Sequence, residues 1–141
     1  MNLSFEPLDI PQIKGIIEGF MAYNPEQIRA FLSEKHNIAF VAKYDNNVIG
    51  LVYGYALTRM DGRAPQFFIY SVDVHPSYQD RGYGSQFMQF VVDWARKNGF
   101  SESFVPTDRD NPRACRVYEK AGMKYSENDC GRIYVIEYDK C

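Results

Sequence analysis

Residues 74–85 read Val74-His75-Pro76-Ser77-Tyr78-Gln79-Asp80-Arg81-Gly82-Tyr83-Gly84-Ser85, joining an apolar, strand-like run to a strongly amphipathic helix. A loop that ends on a helix start carries backbone N–H groups with no partner inside the helix, and such groups suit an anion. Gly82 and Gly84 let the chain approach a bulky anion with no Cβ in the way, and Arg81 adds a fixed positive charge. The stretch therefore predicts a site for a phosphate-bearing cofactor. Spacing excludes two common phosphate motifs. Gly84 is followed by Ser85 and Gln86, so the Gly-Lys-Ser/Thr ending of a P-loop is missing. Phe87 stands where a dinucleotide fold has its third glycine, and both glycines sit well past the strand instead of in its first turn. Alone, Gly-x-Gly before a helix is equally a loop that needs positive φ.

Outward from this stretch, hydrophobic periodicity gives an element order. Ile13, Ile16, Ile17, Phe20 and Met21 share one face of a helix over 11–21. Asn24-Pro25-Glu26-Gln27 reads as an N-cap, a first-turn proline and a box partner for a second helix carrying Ile28, Phe31 and Leu32. Residues 38–44 and 48–57 are β-rich runs around the turn Asp45-Asn46-Asn47, and 66–74 continues the meander. Phe87, Phe90, Val91, Trp94 and Ala95 form the buried stripe of the next helix, which Asn98-Gly99 ends. A short strand over 101–106 then pairs in parallel, because a helical crossover leads to it. Asn111-Pro112 starts a helix with Ala114, Val117, Tyr118 and Ala121 on one face; Gly122 stops it, and 132–138 reads as a last strand.

Composition narrows the function classes. The chain of 141 residues is 45% hydrophobic and 16% aromatic, enough for one compact domain over 1–141 and too apolar for a disordered tail. No apolar run approaches the ~18 residues of a membrane span, and Met1-Asn2-Leu3-Ser4-Phe5-Glu6 lacks the basic and apolar regions of a signal peptide. A cytoplasmic location without membrane partner is the expectation. Cys115, Cys130 and Cys141 are three and scattered, so neither a disulfide framework nor a metal site is predicted. A net charge of −2 argues against a nucleic-acid partner. Asp73 is the only acid in the apolar run over 66–74, and it needs a reason: a base, an amine anchor or a salt bridge.

A second motif lies one helix and one strand downstream of Gln79-x-x-Gly82-x-Gly84. It runs Asn111-x-x-Ala114-x-x-Val117-Tyr118-Glu119-Lys120-x-Gly122. With both motifs and the element order, the chain resembles the GNAT (Gcn5-related) N-acetyltransferases. The resemblance implies an α/β (α+β) acyl-CoA N-acyltransferase fold: a mixed, mostly antiparallel sheet, about four flanking helices, and central parallel strands that splay. It implies acetyl-CoA as acyl donor, with no metal. Backbone groups of Val72 and Val74 would face the acetyl and pantetheine groups. The N–H groups of Gln79, Asp80, Arg81, Gly82, Tyr83, Gly84 and Ser85 would hold the diphosphate, and Asn111 and Ala114 would flank the pantetheine. Arg81, Arg113 or Arg116 could reach phosphate oxygens, although for the last two a solvated helix surface is the plainer reading.

By the same resemblance Tyr118 is the acid that meets the departing thiolate. Some relatives carry a glutamate base where Phe68 stands here, which leaves Asp73 as the candidate base or amine anchor. His75, before Pro76, reads as a turn residue. The run from Ile38 to Val74 is more loosely similar to aminoglycoside 3-N-acetyltransferases, which carry an aspartate at the place of Ser71. The expected acceptor is thus a primary amine of a small molecule, aminoglycoside-like or polyamine, attacking directly in a ternary complex. The alternatives are a protein or peptide N-acetyltransferase and a non-catalytic acyl-CoA-binding module. A homodimer through the last strand is a further expectation.

Overall fold

The structure, a computed structural model, describes residues 2–108, 110–125 and 134–138. Five strands form one sheet in the order β1-β2-β3-β4-β5: Leu3–Pro7, Asn37–Tyr44, Asn47–Leu57, Gln66–Val74 and Glu102–Phe104. The first three pairings are antiparallel and the β4–β5 pairing is parallel, so the sheet is mixed and mostly antiparallel. The helices are α1 Ile13–Gly19, α2 Pro25–Leu32, α3 Tyr83–Lys97 and α4 Pro112–Lys120.

Alternation along the strands divides the core between two faces. Phe40 and Ala42 of β2 join Val52, Phe67 and Ile69 against Phe87, Met88, Val91 and Ala95 of α3. Val41, between them on β2, turns the other way to meet Leu51 and the Ile13, Ile16 and Ile28 of α1 and α2. The β2–β3 turn places Asp45 at φ 50 and Asn46 at φ 70, a conformation that short polar side chains tolerate. α3 ends with Gly99 at φ 83 and the bond Phe100 N to Ala95 O at 3.2 Å; α4 ends in the same way, with Gly122 at φ 92 and Met123 N on Tyr118 O at 3.0 Å.

Three expectations are corrected. The first helix does not cover 11–21: a 3-10 turn occupies Ile10–Gln12, α1 follows, and Phe20 at φ −135 and ψ 92 breaks it, leaving Met21 exposed. β1 is an additional strand, marked in the sequence by Leu3 and Phe5 alone; pairing with β2 and a stack of Phe5 on Phe87 at 5.4 Å hold it in place. Of the last strand expected over 132–138, residues 132 and 133 lie outside the described residues and 134–138 are not in a strand. Tyr134, Val135, Ile136 and Tyr138 are exposed. Apolar, β-prone residues make a strand only where an edge offers a ladder, and β5 presents just Glu102–Phe104. Cys130 and Cys141 also lie outside the described residues.

Two irregularities of β4 set the surroundings of its C-terminal half. β5 pairs only with Gln66, Phe67 and Phe68, so from Ile69 to Val74 the outer edge of β4 has no strand beside it among the described residues. β4 also bulges against β3: Tyr53 pairs with Ser71 but Gly54 pairs with Ile69, leaving Tyr70 as the extra residue. A bulge reverses the alternation beyond it. Phe67 and Ile69 face α3, yet after Tyr70 it is Val72 that faces α3, while Ser71 and Asp73 turn to the α1–α2 side. Gly54 permits this, since a Cβ there would stand 2.0 Å from the Phe68 carbonyl oxygen.

Candidate active site

The open edge of β4 borders a cavity of about 400 Å3 between the loop before α3 and the inner face of α4. His75 N donates to Ile49 O of β3 at 2.7 Å. Because backbone groups alternate between the two sides of a strand, those of Val72 and Val74 face the open edge. The Gln79 side-chain amide bonds Val74 O there at 2.9 Å. Val72, Val74, Gln79, Asp80, Gly82, Gly84, Ser85, Asn111, Ala114 and Tyr118 all line this cavity, so most of the residues singled out from sequence come together. Arg81 and Tyr83 do not: the Arg81 guanidinium lies over the Tyr78 ring at 5.4 Å, and Tyr83 stacks on Tyr44.

The loop meets α3 through two left-handed residues, Asp80 at φ 62 and Gly82 at φ 80. Gly82 is the N-cap and supplies no side-chain cap. The first bond of the helix is Gln86 N to Gly82 O, at 3.1 Å, so the N–H groups of Tyr83, Gly84 and Ser85 precede the helical ladder. The first turn of α3 carries no acidic residue. Around these donors the cavity wall has Arg113, Arg116 and Lys120 against the single carboxylate of Asp80. Uncapped donors, the positive end of a 15-residue helix and surplus cations are a combination that suits an anion. Arg113 bonds Gln79 Oε1 and reaches Asp80 Oδ2 at 3.4 Å, which ties α4 to the loop. Arg113 remains mostly exposed, so these bonds join it to the loop at a solvated surface.

Asn111 caps α4, its side-chain oxygen accepting from Ala114 N at 3.2 Å. Tyr118, one turn beyond Ala114, lines both this cavity and a second one beside β5. Burial, and then the nearby Cys115 and Asp73, push its phenol above the ordinary 10.0, so it keeps its proton at neutral pH. His75 is a turn residue, its Nδ1 accepting from Ser77 N at 3.1 Å.

Asp73 lies on the α1–α2 side. Its Oδ2 accepts the hydroxyl of Tyr23 at 2.5 Å, and the same hydroxyl is 3.5 Å from Ser71 Oγ. Among the described residues Asp73 enters no ion pair, so of its three readings the salt bridge is not seen. Next to it, Tyr53, Tyr55, Phe68 and Tyr70 form a run of rings with centroids 5.6–6.2 Å apart, closed against α2 by Phe31. Tyr23 carries no mark in the sequence. An aromatic residue just before an N-cap signals packing onto its own helix, and nothing local points to a carboxylate 50 positions away.

The profile of the Acetyltransferase (GNAT) family matches residues 8–123, a span that contains β2 to β5, all four helices and every residue of the cavity. The chain belongs to the GNAT acetyltransferase family. A relative named "Probable N-acetyltransferase camello", from Xenopus tropicalis, is 26% identical over 110 residues, covering 78% of this chain and 49% of its own. The chain thus spans about half the length of the curated relatives it matches. Among solved structures, an aminoglycoside acetyltransferase from an uncultured soil metagenomic sample, in complex with sisomicin, superposes with a TM-score of 0.80. It is 22% identical, and the match covers 96% of this chain and 97% of that one. A ribosomal-protein-alanine N-acetyltransferase from Brucella melitensis biovar Abortus 2308 also gives 0.80, at 16% identity over 98% and 100%. The GNAT fold is therefore shared with proteins whose names give quite different acceptors.

Proposed function

We propose that this chain transfers an acetyl group from acetyl-CoA to a primary amine of a small molecule, by direct attack within a ternary complex. The observation that carries the proposal is the uncapped start of α3 in a cationic cavity at the open edge of β4. Acetyl-CoA brings a diphosphate and a thioester, and a long helix start joined to an unpaired strand edge suits both ends of such a molecule. The N–H groups around the start of α3, those of Gly82, Gly84 and Ser85 on the cavity wall, hold the diphosphate, while the Gln79 N–H is taken by Pro76 O at 3.3 Å. Backbone donors of Val72 and Val74 meet the pantetheine amide and the acyl oxygen, and fixed dipoles there favour the negative charge that develops on attack.

The remaining chemistry belongs to two side chains. An alkylamine with a pKa of ~10.4 arrives protonated and must lose a proton before its lone pair can attack, and the Asp73 carboxylate accepts that proton or anchors the ammonium. Tyr118 supplies the opposite service. Its phenol, protonated at neutral pH, donates to the sulfur as the C–S bond breaks. The Tyr53–Tyr70 rings form a wall that an acceptor's apolar or cationic parts can lie against.

Free-thiol release from acetyl-CoA, measured against a panel of alkylamines, polyamines, aminoglycosides and N-terminal peptides, tests the proposal. Amine-dependent release with a small molecule supports it. Release with peptides alone transfers the reading to a protein N-acetyltransferase. Tight CoA binding with no release reduces the chain to a binding module.

A further inference from the structure

The α1–α2 connection, Phe20 to Asn24, contributes a residue to the acceptor side that no motif marks. Its backbone is closed by Phe20 N on Ile16 O at 2.7 Å and Tyr23 N on Phe20 O at 3.3 Å, and Asn24 caps α2 with bonds from Glu26 N and Gln27 N. Met21 points to solvent, whereas Tyr23 turns in and packs edge-on against Phe20 and Tyr53. We propose that Tyr23 is a positioning residue: its hydroxyl, hydrogen-bonded to Asp73 Oδ2, fixes that carboxylate so that Oδ1 is presented to the incoming amine. The inference rests on the transfer reading, with Asp73 as base or anchor.

Three observations support it. The bulge at Tyr70 turns Asp73 to the α1–α2 side, where Tyr23 is its hydrogen-bond donor. Among the described residues the polar groups around Asp73 are hydroxyls: Tyr23 by its hydrogen bond, Ser71 through its 3.5 Å contact with that Tyr23 hydroxyl, Tyr53 and Tyr118 by charge. With no ion pair from a Lys or Arg among the described residues, the carboxylate is left without a protein counter-charge, a place an ammonium can take. Burial and the Asp73 bond push the Tyr23 phenol upward, so it remains a donor wherever the enzyme works. A bare aspartate on a strand has rotamers that turn it away, and one bond from a well-packed ring selects among them.

A double-mutant cycle with the best amine from the thiol-release panel tests the assignment, using Tyr23→Phe, Asp73→Asn and the pair together. Phenylalanine keeps the ring contacts, and acetyl-CoA affinity by calorimetry reports on the fold. The expected result is a drop of about tenfold or more in kcat/KM for the amine in Tyr23→Phe, the weight of a bond to a charged group. The KM for acetyl-CoA should stay within twofold, and the double variant should be no worse than Asp73→Asn alone. Activity of Tyr23→Phe within twofold of the parent, or losses that multiply in the double variant, overturn the inference while leaving the transfer reading intact. Loss of acetyl-CoA binding together with transfer gives Tyr23 a structural part only and also overturns it. An unaffected Asp73→Asn removes both Asp73 and Tyr23 from the chemistry. No release by the parent protein defeats the function itself.

Discussion

Replacing Gly54, Gly50 and Gly84 by alanine one at a time should give three graded outcomes, because a new Cβ meets different neighbours at each place. At Gly54 it would stand 2.0 Å from Phe68 O and 3.0 Å from Ile69 Cα, both backbone atoms of the adjoining strand. No rotamer change relieves that contact, so the β3–β4 ladder must shift. Overpacking costs typically about 1–3 kcal/mol, and a backbone clash places Gly54→Ala at or above the top of that range. At roughly 2–4 °C per kcal/mol for a domain of this size, the midpoint should fall by about 6–12 °C. At Gly50 the nearest atoms are side chains, Ala42 Cβ and Phe87 Cε2, both at 3.1 Å, and a cost of about 1 kcal/mol follows from small adjustments. At Gly84 the closest atom is Val117 Cγ2 at 3.4 Å, ordinary contact, and alanine in a helix gains about 0.5–1 kcal/mol over glycine. Scanning calorimetry of the three variants gives the order directly. The clash can also relax by flattening the bulge, which would swing Asp73 towards α3, so amine turnover of Gly54→Ala should fall even where it remains folded. A Gly54→Ala midpoint equal to or above that of Gly84→Ala would refute the bulge argument.

The same geometry fixes other outcomes. Tyr118→Phe should lower turnover by about ten- to a hundredfold, at or below the bottom of the usual range for a general acid because a thiol of pKa ~8.5 is a tolerable leaving group; CoA affinity should hold within twofold by calorimetry. Since burial holds the Tyr118 phenol above 10.0, parent and Tyr118→Phe should show the same shape of kcat against pH up to about 9, and an alkaline limb below pH 9 that disappears with the hydroxyl would contradict this. Arg113→Ala removes the tie from α4 to Gln79 and Asp80 and should weaken CoA by about two- to fivefold, the worth of an exposed pair, with kcat little changed. Phe87→Ala, at a fully buried position under Phe5 and Gly50, should cost about 3–5 kcal/mol in urea unfolding without altering which amines are accepted.

Where an element is decided by its own residues, the sequence was legible. Phe87, Val91 and Ala95 recur at helical spacing, Asp45-Asn46 demands a tight turn, and Gly99 and Gly122 take the left-handed geometry that closes α3 and α4. The cavity was legible for the same reason, since its loop and both helix starts are local motifs. What needed a partner far along the chain was not. β1 exists through β2, and β5 ends at Phe104 although apolar residues continue. The bulge shows only in the register between Gly54 and Ile69, and it decides which face Asp73 takes. Phe68, at the place of some relatives' glutamate, shares that face and stacks on Phe104 at 5.1 Å, so it adds to the aromatic wall and no acid stands in its place. The bonds from Tyr23 to Asp73 and from Arg113 to Gln79 likewise join residues that no spacing rule connects.

The central claim is that main-chain donors around Gly82 and Gly84 hold the diphosphate of an acyl carrier. Calorimetric titration of the protein with CoA, dephospho-CoA, pantetheine and adenosine, the last two being the halves that the diphosphate joins, separates the diphosphate from the rest of the ligand. The account predicts that CoA and dephospho-CoA bind within about tenfold of each other, while pantetheine, which lacks the diphosphate, binds at least a hundredfold more weakly, a gap of about 2.7 kcal/mol. Equal binding of pantetheine and CoA, or no heat with CoA at all, would contradict it.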